Sequence, residues 1–170
     1  MKKYENGKWV LDDLVKNPSR QTFDKKINEI KRQSENFAKN KSQLKPNISS
    51  KKFLQLLHEI EDITEKSSKI EGYAGLKFSE NTQSDEATAL LNRISQFGSV
   101  IQNKMLFFDL WWKKQVDDKN AKRLIKDAGE LSDYLRYKRL VAKYALTEPE
   151  EKIINTLDVT GISEIGRAHV

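Results

Sequence analysis

His58-Glu59-Ile60-Glu61-Asp62 begins like a zinc-binding His-Glu-x-x-His helix, but position 62 holds aspartate. That chemistry needs two imidazoles one helical turn apart to meet at one metal, with the glutamate polarising water. A single imidazole does not make such a site, and His58 reads as an ordinary residue at a helix surface or boundary. Glu59, Glu61, Asp62 and Glu65 form an acidic patch around it. Carboxylate clusters can take calcium, but without a glycine-turned loop this one reads as a solvated helix face. No glycine-rich phosphate loop and no Gly-x-Ser-x-Gly elbow occurs. The candidate set is therefore empty: no catalytic residue, no metal ligand and no substrate-binding residue is assigned.

Aromatic residues are the other concentration of chemistry. Phe108 and Trp112 share one face of a helix, and Phe107 and Trp111 an adjacent one. Aromatics on two faces require burial around more than half of that helix. Intramolecular core satisfies this. So does an interface with a second lobe, where tryptophan is enriched; on that alternative part of the cluster around Trp111 and Trp112 stays exposed.

The elements that must position these residues are helical throughout. Pro18-Ser19 marks a start, and Phe23, Ile27, Ile30, Phe37 and Leu44 recur as one apolar stripe. Pro46-Asn47 ends it, and Ser49 or Ser50 can cap a second helix bearing Phe53, Leu56, Leu57, Ile60, Ile63 and Ile70. After a polar turn at 81–85, a third helix runs from Ala87 to Trp112, long enough to need partners along its whole length. Asp117-Asp118-Lys119-Asn120 breaks the pattern, Leu124-Ile125 suggests a short helical turn, and Gly129 precedes a helix with Leu131, Leu135, Leu140 and Val141. Thr147-Glu148-Pro149-Glu150 spells a capping box for a last helix, Pro149 to Leu157, which stops before Gly161. The expected fold is all-α: residues 19–80 form a long antiparallel helical hairpin, and the third helix packs back along it.

Composition narrows the function classes. In 170 residues there is no cysteine, which removes disulfides, thiolate metal sites and a cysteine nucleophile, and fits a reducing cytosol. Three prolines and seven glycines leave few breaks, favouring long elements. Met1-Lys2-Lys3 leads into Tyr4, Glu5 and Asn6, not into an apolar signal core. The most apolar stretch, 105–112, is interrupted by Asp109 and too short for a bilayer. The charge of +6 is interleaved, as in Lys25-Lys26-Ile27-Asn28-Glu29, so no nucleic-acid partner and no membrane partner is expected.

A series of short stretches carries a family resemblance. Trp9-Val10-Leu11-Asp12-Asp13-Leu14 comes first, then Tyr73-Ala74-Gly75-Leu76-Lys77-Phe78 and Ala87-Thr88-Ala89-Leu90-Leu91. Leu106-Phe107-Phe108-Asp109-Leu110 follows, and last Leu146-Thr147-Glu148-Pro149-Glu150-Glu151-Lys152-Ile153 running to Thr160-Gly161. In order and spacing, over roughly residues 9–161, the chain resembles the N-terminal helical region of oligoendopeptidase F-type zinc metallopeptidases, relatives of thimet oligopeptidase. The resemblance implies a cytoplasmic zinc peptidase that cuts oligopeptides, with this region forming one wall of its channel. Zinc and its ligands would lie in a C-terminal catalytic domain beyond this sequence, and none of them maps onto it. The other readings are a stand-alone helical protein-interaction module and, more weakly, a basic nucleic-acid binder.

The ending departs from that family after Ile162 or Ser163, where a further helix with tryptophan and phenylalanine is expected. Ile165-Gly166-Arg167-Ala168-His169-Val170 is what a common sequencing adapter encodes as ATC-GGA-AGA-GCA-CAC-GTC before a TGA stop, and Glu164 fits the preceding codon. The division expected is a leader and short anchor at 1–18, a truncated helical domain at 19–163, and adapter translation at 164–170, which is excluded as a fusion scar would be.

Overall fold

Each helix predicted from a cap begins on a side-chain oxygen. The Ser19 hydroxyl accepts from the Thr22 backbone N–H at 3.1 Å and opens α1, Arg20–Ala38. Ser49, not Ser50, accepts from the Lys52 N–H at 3.3 Å and opens α2, Ser50–Glu80. Ser84 does the same for α3, Asp85–Lys114, accepting from the Ala87 N–H at 3.2 Å. Each bond satisfies a donor that the first helical turn leaves without a partner.

The computed structural model describes residues 9–161. The segment 164–170, with His169, and the residues before Trp9 lie outside the described residues, as does the adapter reading that falls on the former. Within the described residues there are six α-helices, three short 3-10 turns and no strand. The fold is all-α.

Cross-helix pairs fix the register. Phe23 meets Tyr73 at 5.4 Å between ring centroids, Lys66 reaches Glu29 at 3.0 Å, and Gln33 donates to Asp62 at 2.9 Å. As α1 ascends, α2 descends, so residues 19–80 make the expected antiparallel hairpin. Arg93 bonds Asp24 and Lys104 bonds Glu35 at 2.9 Å. The third helix therefore runs parallel to α1 and antiparallel to α2, closing a three-helix bundle. Ile30, Phe37, Phe53, Leu56, Ile63, Ile70, Ile94 and Ile101 fill its axis, each essentially inaccessible. Burying one such side chain contributes about 1.5–3 kcal/mol.

The stripe of the first helix reaches Leu44, but the α-helix itself stops at Ala38 and tightens into a 3-10 stretch, Lys39–Gln43. Leu44 still packs against the core. Its apolar contact survives because a tighter winding moves a side chain around the axis without removing it from the bundle. A larger correction falls at Asp117. The sequence reads Asp117–Asn120 as a break, yet Asp117 caps α4, Asp118–Asp127, accepting from the Asn120 N–H at 3.0 Å. What looks like a turn at Leu124-Ile125 is a ten-residue helix.

Gly129 (φ +56°) then reverses the chain through a 3-10 turn into α5, Ser132–Leu140. The third 3-10 turn, Val141–Tyr144, leads to α6, Glu148–Thr160. Glu150 accepts from the Thr147 N–H at 2.8 Å and from its hydroxyl at 2.6 Å, within the predicted capping box. Helix α6 lies along α3: the Ser99 hydroxyl donates to the Asn155 carbonyl, and the Asn155 amide to the Asn103 side chain, both at 2.9 Å.

The aromatic end is closed. Trp111 and Trp112 are each 2% exposed, and Phe107 and Phe108 are buried with them. Phe53 stands 5.2 Å from Trp112, 6.2 Å from Trp111 and 6.1 Å from Phe108 between ring centroids. The expectation that part of this cluster stays exposed is overturned. Leu124 of α4 and Leu135 of α5 join the same core, so the far end of the bundle is covered from within the chain.

Candidate functional site

The histidine–acid stretch on α2 lies on its outer face. His58 is 70% exposed along its side chain, and its Nδ1 sits 2.7 Å from Glu61 Oε2. Glu59 accepts from Gln55, Glu65 pairs with Lys69, and Asp62 takes Lys66 and Gln33. The Lys66 hydrogen bond is the main reason the Asp62 carboxyl is held below its ordinary value, with burial opposing it. Every member of the patch is engaged with its own neighbours on or beside the helix. Among the described residues no group of three or more His, Cys, Asp or Glu side chains is placed to hold a metal. Among the described residues His58 is the one imidazole, and position 62 is aspartate, so this stretch does not fit a catalytic zinc, and no zinc step is assigned to it.

The unusual surface lies elsewhere, on the C-terminal third. Of twelve large apolar side chains exposed among the described residues, eight fall between 134 and 157. Tyr134, Tyr137 and Leu140 follow one another at three-residue spacing along α5, with Leu140 71% exposed. Ile153, Ile154 and Leu157 share one face of α6, each about half exposed or more. Tyr144 and Leu146 lie on the connection between them. Periodicity assigns Leu140 to the core beside Leu135; only Leu135 is buried. Helix α5 has more apolar positions than α3 has surface left to cover, and the excess faces water. The signal in the sequence was this excess, apolar residues on more faces of a short helix than one contact can take.

Between α5 and α6 a cleft of about 310 Å³ opens onto α3, floored by Met105, Leu106, Phe108 and Trp112. Beside it a second hollow, of about 530 Å³, shares Leu57, Ile60, Thr64 and Tyr134 as a common wall. At the rim Asp109 bridges Lys113 at 2.5 Å and Lys138 at 3.0 Å. Burial works against the Lys138 charge, but the Asp109 hydrogen bond and charge outweigh it and raise the ammonium above its ordinary lysine value. Asp109 is thus a counter-ion to two lysines. The arrangement can receive apolar side chains in a slot with a charged lip. It brings together no nucleophile and base.

No helix among the described residues is long and apolar enough to cross a membrane. Comparison of the chain with protein-family models, with curated proteins and with solved structures gave no match.

Proposed function

We propose that the chain is the non-catalytic N-terminal helical domain of a cytoplasmic, zinc-dependent oligopeptidase, forming one wall of the channel that admits short peptides. The motif series from Trp9 to Gly161 motivates the family. The observation that carries the reading is the exposed apolar flank of α5 and α6, on a bundle whose own core is complete. Exposed patches of that kind mark surfaces that another body covers. In this reading the covering body is a catalytic domain that follows in the same reading frame and supplies the zinc ligands. Oligopeptides bind between the two.

The test is the uninterrupted gene. A frame that continues past Gly161 into His-Glu-x-x-His, whose full-length product cleaves an internally quenched oligopeptide and stops with chelator, is the expected result. Residues 1–161 alone should be silent in the same assay. A native stop codon near Gly161 would overturn the proposal.

A second reading, a stand-alone helical protein-interaction module, is favoured by one specific observation. Trp111 and Trp112 are fully covered without help from a second lobe. Under that reading the α5–α6 flank docks a separate protein.

A further inference from the structure

Ion pairs with lysines of the same helix account for three of the six acids on α2. Asp62 has Lys66 and Glu65 has Lys69 four residues on, and Glu80 has Lys77 three residues before. Glu71 has no such neighbour: positions 67, 68, 74 and 75 are Ser, Ser, Ala and Gly. Its side chain is half-buried, and no hydrogen bond or ion pair is made to it among the described residues. Instead the carboxylate faces a cavity of about 400 Å³ between α2, α3 and α6, lined also by Ser95, Gly98, Gln102, Asn155 and Asp158.

The position of Glu71 depends on Gly98. A Cβ at residue 98 would stand 2.6 Å from Glu71 Oε1, closer than non-bonded atoms approach. The absent side chain is the space the carboxylate occupies against α3. Opposite it, α6 is tied in place by the Ser99 and Asn155 hydrogen bonds, so the wall bearing Asp158 is fixed. Burial raises the Glu71 carboxyl above its ordinary value, the response of a carboxylate that lacks a cation.

We propose that this cavity binds a primary alkylammonium group, with Glu71 as its counter-ion. Such a head has three N–H donors and no acceptor. Glu71, Asp158 and the side-chain oxygen of Gln102 or Ser95 offer the acceptors, while no cationic side chain among the described residues lines the cavity. Two carboxylates with neutral amides and a hydroxyl suit an organic cation better than a hard divalent ion, which takes 6–8 oxygens, several of them anionic. The proposal does not rest on the oligopeptidase reading. The ammonium could belong to a free small amine or to a lysine side chain, and the chemistry recognised is the same.

The probes are n-butylammonium chloride and an acetylated, amidated lysine, titrated into the 170-residue chain and followed by amide and carboxyl NMR, with n-butanol and calcium chloride as controls. Saturable shifts at Ser95, Gly98 and Gln102 are expected with the ammonium probes, and binding should tighten as pH rises through the Glu71 titration. Saturation by both ammonium probes admits either source; saturation by n-butylammonium alone limits the site to small amines. Glu71→Gln should weaken binding by about tenfold or more while leaving the circular dichroism unchanged. Gly98→Ala, which displaces the carboxylate without removing it, should weaken it too. Equal shifts with n-butanol, undiminished binding by the Glu71→Gln protein, or tighter occupancy by calcium would each overturn the proposal.

Discussion

The indole Nε1 of Trp112 donates to the Leu135 carbonyl at 3.1 Å, whereas the Nε1 of Trp111, its neighbour in sequence, is buried without an acceptor. Two tryptophans of equal burial thus differ in one hydrogen bond. That bond stitches α3 to α5 and supplies a partner for a polar atom deep in the core. An unsatisfied buried donor costs about 1–3 kcal/mol, and a satisfied one returns a net ~0.5–1.5 kcal/mol.

Replacing each tryptophan by phenylalanine separates packing from hydrogen bonding. Trp112→Phe should destabilise the fold by about 0.5–1.5 kcal/mol more than Trp111→Phe, because only the former breaks a bond. Urea unfolding of both variants measures the difference. Equal losses would mean that the Leu135 carbonyl finds another donor.

Arg139 closes the end of α3. Its guanidinium donates to the Trp112 carbonyl at 3.1 Å and the Val116 carbonyl at 2.8 Å, pairs with Asp118 at 2.6 Å, and lies over the Trp112 ring. One planar fork serves several acceptors that the helix C-terminus leaves open. Arg139→Lys keeps the charge and loses the fork, so a cost of about 1.5–3 kcal/mol is expected. Thermal melts showing Lys as good as Arg would reduce the interaction to charge alone.

The pH profile should bend in two places with opposite sign. Glu71 has its folded value raised by burial, so the native state holds that proton longer than the unfolded chain. Stability then falls as pH rises from the ordinary glutamate value to the raised one. Glu71→Gln should be more stable than the parent above that window and equal to it below.

Glu148 behaves the other way. Hydrogen bonds from Lys152 first and Lys41 second hold its carboxyl below the ordinary value, against a smaller effect of burial. Its contribution is present above the unfolded value and disappears as pH falls through the folded one. The Lys41 contact, at 3.0 Å, joins the 3-10 stretch that follows α1 to the start of α6. Glu148→Gln should therefore flatten the acid limb of the denaturation curve, and an unaltered limb would exclude this clamp.

The α5–α6 flank is testable without knowing what covers it. Leu140→Ser and Ile154→Ser should each change folding stability by no more than about 0.5 kcal/mol, as for exposed positions. Sedimentation of the parent chain is expected to show concentration-dependent association, and the same changes should suppress it. A large stability loss from either variant would show that the side chain packs against its own chain.

Helix type, helix starts and the stripe of each long helix were legible in the sequence. Ser19 and Thr147 cap where expected, Ser84 is the cap within the polar turn at 81–85, and Phe53, Ile63 and Ile101 are buried as their spacing requires. These features depend on residues within one or two turns of each other, and local order along the chain fixes them. The α4 helix was read only as a short helical turn at Leu124-Ile125, because Asp117-Asp118-Lys119-Asn120 carries a cap signal and a breaker signal in the same four residues. Only the fold decided that Leu135 is covered and Leu140 is not, since that depends on how much of α3 is left for a fifth helix to touch. Likewise, the spacing around Glu71 reveals that no local lysine can pair with it. That no lysine from α3 or α6 pairs with it, and that Gly98 leaves room for the bare carboxylate, follows from distances between segments more than twenty residues apart, which no local pattern encodes.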